Sequence, residues 1–152
     1  MSSPVEQVTT HTAAISWRWG NKADIRAHEA RVGQHTVPMS CQETFGGDPT
    51  KGDPEKLFVA AIASCHMLWF LDFARRDRLK VVAYEDQPEG TLSGDRFSRV
   101  VLHPQVEFET EVDDTTLEQL HHKAHEACFI ANSLACPVDV ELGPEPGVEL
   151  GS

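Results

Sequence analysis

The sequence has no long run of basic residues, and acidic residues outnumber basic ones. It contains 24 Asp and Glu residues against 13 Lys and Arg residues, which gives a formal net charge of −11 at pH 7. A chain of this charge repels phosphate-rich partners. The composition therefore excludes nucleic acid as an expected ligand.

The sequence also has no segment with the pattern of a leader peptide or a membrane span. Residues 1–10 show no cationic stretch followed by an apolar run. The most apolar segment, residues 57–71, is interrupted by Ser64, Cys65 and His66, and it is shorter than the ~20 apolar residues that a transmembrane helix needs. We expect no membrane partner and, by default, a cytoplasmic location.

Cysteine is scarce, and no Cys-x-x-Cys motif is present. The four cysteines are Cys41, Cys65, Cys128 and Cys136. In a secreted chain an even number suggests a disulfide framework, whereas in a reducing compartment it suggests catalysis, metal binding or plain packing. The position of each cysteine in the fold decides between these readings.

The hydrophobic periodicity indicates one α+β domain over residues 1–152, with an ordered core at about 11–142. Alternating residues predict a strand over 11–19, a hairpin partner over 24–32 and a short third strand from Gln34, limited by Pro38. The strands expected further along the chain cover residues 79–84, 91–93, 97–102, 106–110 and 136–142.

A long central helix is predicted between these two groups of strands. Asp53-Pro54 supplies an N-cap and a first helical residue, and the helix is expected to end near Arg76. Residues 57–71 are apolar on nearly every face, so this helix needs cover on all sides. A single small sheet cannot supply that cover, and we therefore expect an obligate homodimer.

The segment DPEKLFVAAIASCHM resembles the signature of the OsmC/Ohr family of organic hydroperoxide peroxidases. It has the Asn/Asp-Pro-Glu-x-Leu-Phe opening, an Ala-rich stretch, and Cys65 ten residues after Glu55. The motif Cys136-Pro137, before the last expected strand, resembles the family's resolving cysteine. The two motifs together are fairly specific, and the order of elements agrees over roughly residues 11–142.

The resemblance implies an intertwined homodimer in which two antiparallel sheets wrap around two buried central helices. It implies an antioxidant stress-response peroxidase that reduces organic or fatty-acid hydroperoxides. Cys65 would become a sulfenic acid, and Cys136 would then form a redox-active disulfide with it. Reducing equivalents would come from a dithiol, often a lipoylated protein, and no metal or organic cofactor would be bound.

The resemblance also implies an Arg–Glu pair that holds the attacking cysteine as a thiolate. Glu55 is the glutamate, and Arg18 is the first choice for the arginine, with Arg26 and Arg31 as alternatives. Because ten residues of α-helix rise about 15 Å, Glu55 cannot reach Cys65 within its own helix. Two antiparallel copies of the helix would bring them together, so we expect composite sites shared between two chains.

A second helix is expected to begin near Thr115, with a capping box completed by Glu118. Its residues His121, His122 and His125 raise the alternative of a zinc-binding protein, although a solvated helix face is the commoner meaning of such histidines. His66, next to the nucleophile, either tunes the thiolate or makes a structural hydrogen bond.

The remaining cysteines have weaker functional claims. Cys128 falls on the apolar stripe of the second helix, which favours core packing. Cys41 lies on a loop and is a bystander thiol in this interpretation. A further alternative is an OsmC-like protein that binds a small hydrophobic ligand without peroxidase activity.

Overall fold

The computed structural model describes residues 7–20 and 22–143. The chain forms two compact units, Met1–Pro54 and Glu55–Ser152. In the first unit, strands β1 (Ala14–Ser16), β2 (His28–Val32) and β3 (His35–Met39) form an antiparallel sheet in that order. The expected N-terminal hairpin with a third strand is therefore confirmed.

The strands of this sheet are shorter than the alternation predicts. A short 3-10 helix, Lys22–Asp24, precedes β2, and Asn21 of the expected turn lies outside the described residues. Pro38 does not limit β3 but lies inside it, opposite Glu29. Proline is tolerated there because β3 is the last strand in the sheet order and its outer side needs no ladder of donors.

The second unit is built on helix α1 (Pro54–Arg76), whose bounds agree with the sequence prediction. Its buried residues share one face: Ile62, Ala63, His66, Phe70 and Ala74. Other apolar positions are open, and Leu68 is 59% exposed. The described residues of one chain therefore cover one side of the helix, and the expectation that a partner chain covers the other sides stays a prediction.

Helix α1 is also long and apolar enough to cross a membrane. Length and composition are weak grounds for that reading, because the core helix of a soluble protein has the same character.

Five strands accompany α1: β4 (Val81–Glu85), β5 (Glu89–Ser93), β6 (Arg96–Leu102), β7 (Gln105–Phe108) and β8 (Val138–Val140). The strand β4 pairs with β7, and the other three form a sheet ordered β5-β6-β8. The strand pairs are antiparallel except β6 with β8, which run parallel. This parallel pair departs from the expected antiparallel sheets, and it is possible because a helical crossover separates the two strands.

Helix α2 (Asp114–Ala127) follows β7 and leads into the short α3 (Phe129–Asn132). The predicted capping box is wrong: the side chain of Asp113 caps α2 by accepting a hydrogen bond from the Thr116 backbone N–H at 2.7 Å. That bond lowers the pKa of the Asp113 carboxyl. A carboxylate at this position also suits the positive end of the helix dipole.

The buried side of α1 contributes to two apolar clusters. Its first half packs with strands β6 and β8, in a cluster of Ile62, Ala63, Val100, Leu102 and Val138. Its second half packs with α2, in a cluster of Phe70, Ala74, Leu120 and Ala124. Cys65 and His66 lie on α1 between the residues of these clusters. They therefore stand where the packing partner of the helix changes from strands β6 and β8 to α2.

Candidate functional site

Two thiols meet where α1 and the end of α2 approach each other. Cys65 is half-buried in the middle of α1, and Cys128 is 1% exposed at the C-terminal end of α2. Cys65 lies close enough to Cys128 to raise the pKa of the Cys128 thiol. The fold therefore brings near each other two thiols that are far apart in the sequence.

The environment of Cys128 keeps this sulfur protonated. Burial is the largest cause that raises the pKa of the Cys128 thiol, the neighbouring Cys65 also raises it, and the Ala131 N–H opposes the shift, so that the pKa lies at about 11.

Cys136 lies elsewhere, before β8. It is half-buried and packs against the apolar cluster that contains Ile62 and Val138. Among residues 7–20 and 22–143 the four cysteines are free, so no disulfide joins Cys136 to Cys65. The pairing of Cys65 with Cys136 stays a prediction, and Cys128 is the neighbour that the sequence interpretation missed.

A pair of buried imidazoles lies beside the thiols. His66 Nε2 is 3.0 Å from His121 Nδ1, and the two rings are parallel within 5° at a centroid separation of 5.3 Å. His66 is 1% exposed and His121 is 3% exposed. The ring of Phe70 packs against His121 at 4.3 Å.

Burial keeps both imidazoles neutral. It lowers the pKa of His66 to about 4, with a smaller contribution from the charge of His125. It lowers the pKa of His121 to about 3, with a smaller contribution from His66. At neutral pH each ring has one donor and one acceptor nitrogen, so one N–H can point at the lone pair of the other ring.

The expectation that the histidines of α2 form a solvated face is wrong for His121 and holds for His122. The side chain of His122 is 71% exposed and lies 2.9 Å from Glu126. Sequence reasoning left both roles of His66 open, and the structure shows a hydrogen bond to another helix. The partner of His66 could not be found from the sequence because 55 residues separate it from His121.

A cavity of about 290 Å³ lies over the same part of α2 and β8. Its lining consists of Glu118, His121, His122, His125, Val138, Asp139, Val140 and Leu142. In the part of the chain that the structure describes, no group of three His, Cys, Asp or Glu residues is arranged to hold a metal ion. The zinc alternative therefore gains no support from this cluster.

The charged residues predicted for the site belong to different units. Glu55 is half-buried on the first turn of α1, in the second unit. Arg18, Arg26 and Arg31 are exposed residues of the first unit. The pairing of an arginine with Glu55 and Cys65 stays a prediction.

Comparison with known proteins gives a consistent result. A family model described as OsmC-like protein matches residues 47–143. An OsmC-like protein of unknown function from Vibrio cholerae is 34% identical, with a TM-score of 0.81, over 89% of this chain and 99% of that chain. No curated protein gave a match.

Two more distant structures share the fold. An organic hydroperoxide resistance protein OsmC from Legionella pneumophila is 23% identical, with a TM-score of 0.66, over 89% of this chain and 97% of that chain. An organic hydroperoxide resistance protein from Elizabethkingia anophelis is 17% identical, with a TM-score of 0.68, over 90% of this chain and 96% of that chain.

Proposed function

Because the chain belongs to the OsmC-like family, we propose that it is a thiol-dependent peroxidase that reduces organic or fatty-acid hydroperoxides. The observation that supports this most is the proximity of Cys65 to Cys128. A peroxide-reducing thiol needs a second thiol within reach to trap its oxidised form. Two relatives of the same fold carry the name organic hydroperoxide resistance protein.

In the proposed reaction the thiolate of Cys65 attacks the terminal oxygen of the hydroperoxide. The O–O bond breaks, the sulfur is oxidised to a sulfenic acid, and the alkoxide takes up a proton and leaves as an alcohol. A second thiol then attacks the sulfenic sulfur, an S–S bond forms, and water leaves with the thiol proton. An external dithiol, such as that of a lipoylated protein, reduces the disulfide by exchange.

Cys128 is our proposed second thiol, because Cys65 lies close enough to it to raise its pKa. The raised pKa keeps Cys128 protonated, so it does not compete for peroxide, since only a thiolate is a good nucleophile. In the second step Cys128 gives its proton to the hydroxide that leaves the sulfenic sulfur, so that the attacking sulfur becomes a thiolate as water forms. Cys136, which the sequence motif favours, is the alternative.

The proposed thiolate needs a cation, because desolvation alone disfavours the charged form of a cysteine. An arginine is suited to this role, since it is always charged and can bridge a sulfur and a carboxylate. We propose that Arg18 and Glu55 supply this pair. In a homodimer the two residues and Cys65 would come from more than one chain, as the length of α1 requires.

The test is consumption of tert-butyl hydroperoxide with dihydrolipoamide as the dithiol. We expect turnover by the wild type, none by Cys65→Ser, and slower turnover with over-oxidation of Cys65 in Cys128→Ser. Cys41→Ser is the matched control, since Cys41 is a half-buried loop thiol in the other unit, and it should behave as the wild type. A wild type that consumes no peroxide with this dithiol would refute the proposal.

A further inference from the structure

The imidazole pair is a polar contact beside an apolar cluster that α1 and α2 share. Around it, α1 and α2 meet through Phe70, Ala74, Leu120 and Ala124. Apolar contacts have no preferred direction, so such an interface permits small sliding and rotation of one helix against the other. A hydrogen bond between two rings has a narrow range of distance and angle.

The pair occupies the same two helices as the thiols. His66 directly follows Cys65 on α1, and His121 lies two turns before Cys128 on α2. The bond from His66 Nε2 to His121 Nδ1, at 3.0 Å, therefore ties together the segments that carry the two sulfurs. Any slide of α1 along α2 that separates the thiols also breaks this bond.

Stability alone does not account for the pair. Replacing both partners of a buried hydrogen bond with apolar groups of similar shape can be nearly neutral for folding, whereas removing one partner leaves a costly unpaired group. Among the described residues His121 Nε2 is buried without a hydrogen-bond partner, which makes the pair costly for stability, yet the bond between the two rings still restricts the packing of the core. The advantage of His66 and His121 over two leucines is thus the fixed offset of the helices.

We propose that His66 and His121 are positioning residues that hold Cys65 and Cys128 in register for disulfide formation. The inference rests on the proposed peroxidase function and on Cys128 as the second thiol. His66 and His121 act on the second step, closure of the disulfide. They do not act on the attack of Cys65 on the peroxide, which needs no fixed distance between α1 and α2.

The test uses the double variant His66→Leu/His121→Leu and one equivalent of tert-butyl hydroperoxide. Dimedone labelling measures sulfenic acid at Cys65, and mass spectrometry measures disulfide and sulfinic acid. We expect sulfenic acid to form at the wild-type rate, while disulfide closure slows by about tenfold or more, as small misplacements of reacting groups do. Sulfinic acid at Cys65 should rise accordingly.

Two further variants separate positioning from folding. His121→Asn places an amide where the imidazole has Nδ1, so it can restore the bond to His66 and should close the disulfide faster than His121→Leu. His122→Leu changes an exposed residue of the same helix and should match the wild type. If the double variant does not fold, the comparison of His121→Asn with His121→Leu carries the test.

The outcomes distinguish the two proposals. If the wild type consumes no peroxide, the peroxidase proposal fails. If it does, and the double variant closes the Cys65–Cys128 disulfide at the wild-type rate, the positioning role is wrong and the peroxidase stands. A disulfide that maps to Cys65 and Cys136 would also overturn the positioning role alone.

Discussion

Two neighbouring histidines on α2 lie in opposite environments. His121 is 3% exposed and bonds to His66 of α1, whereas His122 is 71% exposed and pairs with Glu126 one turn later on its own helix. A single helical step of about 100° therefore separates a buried, neutral imidazole from a solvated one. The comparison shows that the orientation of the helix face, not the type of residue, assigns the role.

Lowering the pH should give the largest difference between the buried face of α2, which carries His121, and the exposed face, which carries His122. The pKa values of His66 and His121 are about 4 and about 3 in the folded chain, against 6.5 in the unfolded chain. Below pH 6.5 the unfolded chain therefore binds protons that the folded chain does not. The free energy of unfolding consequently decreases as the pH is lowered. Between pH 6.5 and pH 4 the loss is on the order of 3 kcal/mol per imidazole.

Urea unfolding at about pH 7 and about pH 5 measures this difference. Above pH 6.5, the pKa of these imidazoles in the unfolded chain, the free energy of unfolding should not depend on their ionisation. The variant His66→Leu/His121→Leu should lose most of the pH dependence, and His122→Leu should keep it. An equal slope in the wild type and the double variant would show that the buried pair does not cause it.

Removal of one buried ring should give the next largest effect. His66→Leu leaves His121 Nδ1 without its partner in a site that water does not reach, which costs about 1–3 kcal/mol of unfolding free energy. The double variant with His121→Leu should recover part of this loss, because no unpaired nitrogen remains at the contact. Thermal and urea unfolding of the three proteins form a double-mutant cycle, and purely additive losses would contradict the contact.

Substitution of the N-cap of α2 should weaken the helix that carries both the buried and the exposed face. Asp113→Ala removes the acceptor of the Thr116 N–H and should cost about 1 kcal/mol of unfolding free energy. Asp113→Asn keeps an acceptor and should cost less. The same loss in both variants would mean that the negative charge, not the hydrogen bond, stabilises the helix.

A substitution on the solvent-exposed face of α2 should have the smallest effect on the free energy of unfolding. Glu126→Gln removes the charge partner of His122, and an exposed pair of this kind contributes about 0–0.5 kcal/mol. We expect urea midpoints that agree within experimental error, and no change in peroxide consumption. A large loss of stability would place this face in an interface.

Local signals made α1 predictable. The cap Asp53-Pro54 marks where the helix begins, and Arg75 and Arg76 mark where it ends. Both signals act on the neighbouring one or two helical turns, so the bounds Pro54–Arg76 follow from the sequence. The cap of α2 was misassigned by a few residues, because Asp113 and Thr115 are both good caps and only the geometry separates them. The parallel pairing of β8 with β6 depends on contacts between distant segments, which the sequence pattern does not encode.

The site was predictable in part for the same reason. Cys65 is marked by a local motif, and its position on α1 agrees with that prediction. The burial of Cys128 was expected from the apolar stripe, but periodicity cannot tell that a buried thiol faces another thiol instead of an apolar wall. The contacts of His66 and Cys65 with α2 appear only when the two helices are packed.

The central claim is that Cys65 and Cys128 are the redox partners. The direct measurement is peptide mapping of the unreduced protein after one equivalent of tert-butyl hydroperoxide, with free thiols blocked before digestion. We predict one disulfide, between Cys65 and Cys128, and its absence in Cys65→Ser. A disulfide between Cys65 and Cys136, or oxidation of Cys65 without any disulfide, would contradict the claim.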